Sequence, residues 1–133
     1  MNHSPKTIII VEDEPDTAEM LAQMMRMNGY EIIKAYSGDS AISLIAKEKP
    51  TAVVLDVMMP DISGIEVLNF VRNYPELAHT PVVVVSAKAL PSDIQKGFEA
   101  GASLYLTKPV AYLEFCQAME NVIQTDYQNW VKE

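Results

Sequence analysis

Short apolar runs alternate with segments of helical spacing along the chain, and this alternation limits the fold more than any other feature. The runs are rich in β-branched residues, and the fourth has no polar residue, as in a parallel strand covered on both faces. They lie at Thr7–Val11, Glu31–Ala35, Ala52–Leu55, Val82–Val85 and Ser103–Leu106. Five strands alternating with five helices predict an α/β fold with a doubly wound parallel sheet, and right-handed crossovers leave few possible strand orders.

Proline, glycine and capping residues stand where this division requires helix ends. Pro15 can occupy the first turn of the first helix, and Gly29 can end it because glycine readily adopts the left-handed conformation. Ser37 or Asp39 can cap the second helix, and Ser63 can cap the third. Prolines and a further glycine bound the fourth and fifth helices in the same way, so the predicted elements have consistent limits.

Composition excludes several classes of function. The 133 residues suit one domain, and 49% of them are apolar, enough for a core without disulfides. The single cysteine, Cys116, fits a reducing compartment and is predicted to be a small buried residue. A net charge of −8 argues against direct nucleic-acid binding. The sequence has neither a membrane-spanning run nor a signal-peptide pattern, which predicts a cytoplasmic protein without membrane insertion.

Polar side chains follow four of the predicted strands. Glu12–Glu14 follow the first strand, Asp56 ends the third, Ser86 ends the fourth, and Thr107–Pro109 follow the fifth. In an open parallel sheet, ligands bind outside the carboxyl ends of the strands. Acids, a hydroxyl and a lysine at one edge therefore predict a metal and phosphate site.

The chemistry of such a site follows from the residue types. Clustered carboxylates repel one another, and a hard divalent cation such as Mg²⁺ relieves the repulsion. Asp56 could attack phosphorus to give an aspartyl phosphate, while Lys108 neutralises charge and Ser86 donates a hydrogen bond. Taken singly, these residues have ordinary alternatives: an acidic turn, a capping serine and a surface lysine. Their joint placement at successive strand ends favours the site.

Four stretches of the sequence resemble the receiver domains of bacterial two-component response regulators. They are IIIVEDEP at 8–15, VVLDVMMPDISG at 53–64, VVVVSA at 82–87 and AGASLYLTKP at 100–109. The resemblance, which includes the CheY-like single-domain form, implies a flavodoxin-like sheet of five strands in the order 2-1-3-4-5. It covers about residues 6–124, leaving residues 1–5 as an N-terminal tail and 125–133 as a helix extension or tail.

The resemblance also implies a metal site. Asp56 corresponds to the phosphoacceptor and also to a ligand of the metal, and Asp13 corresponds to a direct Mg²⁺ ligand. Glu12 would bind the metal directly or through water, replacing the more usual aspartate with a longer side chain. The backbone carbonyl of Met58 would be a further ligand. Mn²⁺ could replace Mg²⁺ in such a site.

Three further residues correspond to parts of a phosphorylation switch. Lys108 takes the position of the lysine that pairs with phosphate, and the resemblance implies a cis bond before Pro109. Ser86 takes the position of the switch hydroxyl. Tyr105 matches an aromatic whose rotation reports phosphorylation, although a half-buried strand tyrosine explains it as well. Gly97 lowers the stability of the fourth helix by about 1 kcal/mol relative to alanine, which predicts a labile element of the signalling face.

The implied function is that of a signalling phosphoacceptor, which catalyses only its own phosphorylation and dephosphorylation and is not otherwise an enzyme. A sensor histidine kinase or histidine phosphotransfer protein would donate the phosphoryl group to Asp56. The face formed by helix four, strand five and helix five would then change for an unidentified downstream protein. A phosphorelay intermediate and a receiver-like interaction module that acts without phosphorylation remain alternatives.

Two other classes fit the sequence less well. A phosphatase of the haloacid-dehalogenase type would carry a second acid two residues after Asp56, where this chain has Met58. A flavodoxin would need a phosphate-binding loop after the first strand, where Glu12–Glu14 would repel phosphate. Both comparisons favour the receiver interpretation.

Two helices carry wide apolar stripes. In the first, Leu21 and Met25 are predicted core, and three flanking methionines are best explained by further core packing, with a partner surface as the alternative: Met20, Met24 and Met27. In the last, the predicted core row comprises Tyr112, Phe115, Met119 and Val122. A second row runs on to Tyr127 and Trp130, which predicts a frayed or self-packed helix end and leaves open dimerisation or a partner contact.

Overall fold

The computed structural model describes the backbone of residues 6–132 and the side chains of residues 6–124. Its sheet has five parallel strands in the order β2-β1-β3-β4-β5, which confirms the predicted fold class and strand order. The strands are β1 (Thr7–Val11), β2 (Glu31–Ala35), β3 (Ala52–Leu55), β4 (Val82–Ser86) and β5 (Leu104–Thr107). The last two end one residue later than predicted, because Ser86 and Thr107 pair with each other in the ladder.

Five α-helices connect or follow the strands, as the sequence predicts. They are α1 (Pro15–Arg26), α2 (Gly38–Glu48), α3 (Gly64–Asn73), α4 (Pro91–Glu99) and α5 (Tyr112–Lys132). The hydroxyl of Ser37 caps α2 and that of Ser63 caps α3, so Ser37 rather than Asp39 is the N-cap of α2. Gly29 has a φ of +92°, the left-handed conformation expected of it after α1. A short 3₁₀ turn, Pro75–Leu77, was not predicted.

The sheet is covered on both faces, so its inner strands are apolar on both sides. On one face, Ile8 and Ile10 pack with α1 and α5, where Phe115 is fully buried. On the other face, Ile9 and Val11 pack with α2 and α3. This double covering explains why β4 lacks polar alternation. It leaves the carboxyl ends of the strands as the edge that carries polar groups.

The width of the apolar stripe on α1 was predicted wrongly. Leu21 and Met25 are buried as expected, and Met24 packs partly against the core. Met20 and Met27, however, are 45% and 75% exposed. The helix packs on the sheet along a narrow stripe of Ala18, Leu21, Ala22 and Met25, and these two methionines lie outside it.

The core row of α5 is also shorter than predicted. Phe115, Met119 and Val122 are buried, but Tyr112 is exposed because it stands at the first turn of the helix. Cys116 is only half-buried, and Asn28 donates a hydrogen bond from Nδ2 to its Sγ at 3.4 Å. The side chains of Tyr127 and Trp130 lie outside the described residues, so their predicted packing stays a prediction.

In the described part of the chain, no helix combines the length and the apolar character needed to cross a membrane.

Candidate functional site

Backbone hydrogen bonds align the strand ends that carry the predicted site. The Asp56 N–H donates to the Val11 carbonyl at 3.0 Å, and the Glu12 N–H donates to the Ala35 carbonyl at 3.0 Å. At the other side of the sheet, the Lys108 N–H donates to the Ser86 carbonyl at 2.9 Å. These bonds extend the sheet by one residue beyond the strands, which holds the first polar residues in register.

Lys108 joins two buried carboxylates. Its Nζ donates to Glu12 Oε1 at 2.7 Å and to Asp56 Oδ2 at 2.9 Å. Glu12 is 2% exposed and Asp56 is 5% exposed, so both acids lie where water screens charge poorly. The peptide bond between Lys108 and Pro109 is cis, as the resemblance implied. The ammonium group thus offsets the repulsion of two acids that would otherwise destabilise each other.

Burial and pairing act against each other on the pKa values of this group. Burial raises the pKa of Glu12 above its ordinary value of 4.5, and the hydrogen bond from Lys108 opposes that rise. For Lys108, burial alone would lower the pKa, but its hydrogen bonds to Glu12 and Asp56 outweigh burial and raise it. Lys108 therefore stays positively charged at neutral pH.

Three carboxylates are close enough to hold one cation. Each of Glu12, Asp13 and Asp56 places a carboxylate oxygen within 4.8 Å of the others. Asp13 is exposed while the other two are buried, so a cation could reach the cluster from the solvent side. Mg²⁺ takes oxygen ligands and is usually held by one or two carboxylates while it keeps several waters. The residues present therefore fit a Mg²⁺ site.

The loop after β3 orients the Asp56 carboxylate. The Met58 N–H donates to Asp56 Oδ1 at 2.9 Å, while Oδ2 accepts from Lys108. A similar bond, from the Glu14 N–H at 3.2 Å, holds the second carboxylate oxygen of Glu12. Both oxygens of each buried acid thus have a donor, which fixes how the acid faces the cluster.

Ser86 and Tyr105 meet at the backbone of Lys88. The Ser86 Oγ, which is fully buried, accepts a hydrogen bond from the Lys88 N–H at 3.2 Å. The Tyr105 hydroxyl donates to the Lys88 carbonyl at 2.8 Å. Burial raises the pKa of Tyr105, and a hydrogen bond with Ser86 opposes this rise. The two predicted switch residues are therefore coupled through one peptide segment ahead of α4.

The contacts of two residues near the site, Gly97 and Asp61, were not predicted from the sequence. A Cβ atom at Gly97 would lie 2.7 Å from a ring carbon of Tyr105, so this glycine lets the tyrosine ring lie against α4. Asp61, in the loop after β3, accepts hydrogen bonds from the first two N–H groups of α2. An aspartate that follows a proline, as Asp61 follows Pro60, is a recognisable turn residue, but its two partners lie 22 and 23 residues away in the sequence.

A mostly apolar groove of about 370 Å³ lies beside Lys108, between α1 and the start of α5. Its lining consists of Thr17, Met20, Leu21, Val85, Lys108, Pro109 and Val110. The exposed Met20 forms part of this groove, so the apolar surface of α1 reaches the edge of the acidic cluster.

Comparisons with known proteins agree with this geometry. The response regulator receiver domain model matches residues 8–120. The chain is 29% identical to DivK of Brucella anthropi, named a polar-differentiation response regulator, over 90% of this chain and 97% of DivK. It also superimposes on the receiver domain of a Francisella response regulator with a TM-score of 0.83 and 26% identity. That match covers 90% of this chain and 98% of the Francisella chain.

A second relative is a longer protein. The chain is 41% identical to TcrX of Mycobacterium tuberculosis, which is named as a transcriptional regulatory protein. The match covers 83% of this chain but only 46% of TcrX, so the chain spans about half the length of that relative. A family model that matches most of the chain, a sheet of the expected order and an acidic cluster at its carboxyl edge agree with one another. The chain belongs to the family of response regulator receiver domains of two-component systems.

Proposed function

We propose that the chain accepts a phosphoryl group from a phosphohistidine donor onto Asp56 in a Mg²⁺-dependent reaction. The observation that carries the proposal is the cluster of Glu12, Asp13 and Asp56 with Lys108 bonded to two of its acids. Receiver domains are signalling phosphoacceptors that interact with histidine kinases or phosphotransfer proteins. On this proposal, the chain catalyses only its own phosphorylation and dephosphorylation, in the cytoplasm.

The chemistry assigns a role to each residue. An oxygen of Asp56 attacks the phosphorus, an O–P bond forms, and the P–N bond to the donor histidine breaks. Mg²⁺, when bound, neutralises charge on the acids and on the phosphoryl oxygens. Glu12, Asp13 and the Met58 carbonyl would hold the metal beside Asp56. Lys108 gives up Asp56 Oδ2 and donates instead to a phosphoryl oxygen, so its charge stays in the cluster.

The switch follows from the hydrogen bonds ahead of α4. The phosphoryl group offers new acceptor oxygens, and the buried Ser86 hydroxyl can donate to one of them. Ser86 now accepts from the Lys88 N–H, and Tyr105 holds the Lys88 carbonyl. Movement of Ser86 therefore loosens the segment that Tyr105 also binds. The face formed by α4, β5 and α5 changes as a result and binds its target.

The groove beside Lys108 suits the donor protein. A donor histidine must come within reach of Asp56, and this groove is an apolar surface that reaches the cluster. Met20 and Val110 belong to its lining, one from α1 and one from the segment before α5. Flexible methionine side chains adapt to partner surfaces. We place the docking of the kinase or phosphotransfer protein there.

Intact mass spectrometry tests the proposal directly. The protein is incubated with acetyl phosphate, with Mg²⁺ or with EDTA, beside the variants Asp56→Asn and Asp39→Asn. We expect a gain of one phosphoryl group that needs Mg²⁺ and disappears in Asp56→Asn. Asp39 is an exposed aspartate at the start of α2, so Asp39→Asn should behave as the wild type. No gain with either acetyl phosphate or a phosphorylated histidine phosphotransfer protein would refute phosphorylation and leave an interaction module.

A further inference from the structure

The loop that carries Asp56 toward α3 is fastened to α2, a helix that contributes none of the residues of the predicted site. Asp61 Oδ1 accepts a hydrogen bond from the Gly38 N–H at 3.0 Å. Asp61 Oδ2 accepts one from the Asp39 N–H, also at 3.0 Å. These are the first two N–H groups of α2, which have no partner within the helix. One carboxylate thus binds the two groups in a fork.

The Asp61 carboxylate completes the N-terminus of α2. The Ser37 hydroxyl accepts from the Ser40 N–H at 3.1 Å, and Asp61 takes the two N–H groups before it. The hydrogen bonds from Asp39 and Gly38 lower the pKa of Asp61 to about 2, so the carboxylate is ionised at neutral pH. A negative charge at a helix N-terminus is also favoured by the helix dipole. At neutral pH, where the site is expected to work, Asp61 therefore keeps the charge that favours this contact.

The start of α2 also packs closely against the loop at Gly38. A Cβ atom at Gly38 would lie 2.6 Å from both the Cβ and the carbonyl oxygen of Ile62, the residue after Asp61. Only glycine lets the start of α2 come this close to the loop. At the far end of the loop, a Cβ at Gly64 would lie 2.5 Å from the Asp56 carbonyl oxygen. The loop is thus packed tightly at both ends.

The loop that Asp61 holds is connected to the acidic cluster by a hydrogen bond from Met58 to Asp56. Met58 lies three residues before Asp61 and donates its N–H to Asp56 Oδ1 at 2.9 Å. A backbone N–H can move only with the loop that carries it. Release of Asp61 from α2 would therefore free Met58 and let the Asp56 carboxylate rotate within the acidic cluster. Mg²⁺ requires near-ideal octahedral geometry, so its binding is sensitive to such rotation.

We infer that Asp61 is a positioning residue for the acidic cluster, acting from the N-terminus of α2 through the Met58 N–H on the Asp56 carboxylate. This inference rests on the proposed Mg²⁺ site, but it concerns a residue outside that site. Partners that orient metal ligands are worth about 10 to 100-fold in metal affinity. Asp61 acts one contact further away, so we expect its loss to weaken Mg²⁺ binding by about tenfold, the lower end of that range.

Mg²⁺ binding without any phosphodonor tests the inference. The protein is titrated with MgCl₂, and the amide signals of the loop after β3 are followed by ¹H–¹⁵N NMR in the wild type, Asp61→Ala, Asp61→Asn and Asp39→Ala. We expect a Kd about tenfold higher for Asp61→Ala and an intermediate Kd for Asp61→Asn, which keeps one acceptor oxygen. Asp39→Ala removes the same charge from the same helix end without touching the loop contact, so its Kd should match the wild type.

The controls separate positioning from general destabilisation and from failure of the proposed function. Thermal unfolding of each variant establishes that it is folded, and a folded Asp61→Asn keeps the test valid if Asp61→Ala unfolds. An unchanged Kd in folded Asp61 variants, or an equal loss in Asp39→Ala, overturns the inference. If the wild type binds Mg²⁺ but is not phosphorylated, the proposed function fails while the Kd comparison still decides the inference. A wild type that binds no Mg²⁺ overturns both.

Discussion

Replacing Gly97 by alanine tests the contact between α4 and the tyrosine of β5. On an open helix face this change stabilises a protein, because alanine is favoured over glycine in a helix by about 1 kcal/mol. Here the added Cβ would lie 2.7 and 2.9 Å from two ring carbons of Tyr105. Normal contact between carbon atoms begins at about 3.5 Å, so the ring has to move.

The cost of moving the ring exceeds the gain in helix propensity. Overpacking of this kind costs about 1 to 3 kcal/mol. The moving ring also takes its hydroxyl away from the Lys88 carbonyl, a hydrogen bond worth about 1 kcal/mol. We therefore expect Gly97→Ala to lower the free energy of unfolding by about 1 to 2 kcal/mol. In a protein that already carries Tyr105→Ala, the change Gly97→Ala should raise the free energy of unfolding by about 1 kcal/mol relative to Tyr105→Ala alone, because no ring then stands in the way of the added Cβ.

Urea denaturation followed by circular dichroism measures this double-mutant cycle. The expected coupling energy between positions 97 and 105 is at least about 2 kcal/mol, which lies within the range for residues in contact. Lys96→Ala, at the exposed neighbouring position of α4, should have the same small effect with and without Tyr105. If Gly97→Ala stabilises both backgrounds equally, Gly97 has no packing role, and its only effect is to weaken the helix.

Three further predictions follow from other contacts. Arg72 donates hydrogen bonds to the backbone carbonyls of Gly101, Thr80 and Ala78, so Arg72→Lys should lower the free energy of unfolding by about 2 kcal/mol in urea denaturation. Because the pKa of folded Asp61 lies near 2, below its ordinary value of 3.8, its stabilisation is present above pH about 4 and lost as pH falls toward 2. The Tm difference between the wild type and Asp61→Asn should accordingly vanish near pH 2. Met20→Ala should slow phosphoryl transfer from a phosphorylated histidine phosphotransfer protein about tenfold but not transfer from acetyl phosphate, whereas Met27→Ala, outside the groove, should change neither.

The strands and the site edge could be predicted because their signals are local. A buried parallel strand is a short apolar run, and the residue that follows it necessarily stands at the carboxyl edge of the sheet. Asp56 and Lys108 are 52 residues apart, yet each is placed by its own strand end. To predict that these two residues lie close together, only the strand order was needed in addition, and the resemblance supplied that order.

The exposed methionines of α1 show where a pattern of this kind fails. Helical spacing identifies the direction of an apolar stripe, and Leu21 and Met25 are buried as that direction predicts. The width of the stripe depends on the surface against which the helix packs, which the helix's own sequence does not contain. Met20 lies at the border of the stripe, where it lines the groove beside Lys108. Methionines of the same helix are thus buried or exposed depending on which distant part of the chain packs against them.

The contacts missed by sequence reasoning share a physical character. Gly97 seemed to be a weak point of a helix, but its missing side chain is the space that Tyr105 occupies. Asp61 was given no role from the sequence, but its carboxylate binds the N-terminus of another helix. In both cases the contact is made with a partner, the Tyr105 ring or the N–H groups of α2, that lies close only in the folded chain. Both contacts also hold segments adjoining the residues of the proposed switch, Ser86, Tyr105 and Asp56. The sequence motif therefore carries the reacting groups, while the packing around it determines how firmly those groups are held.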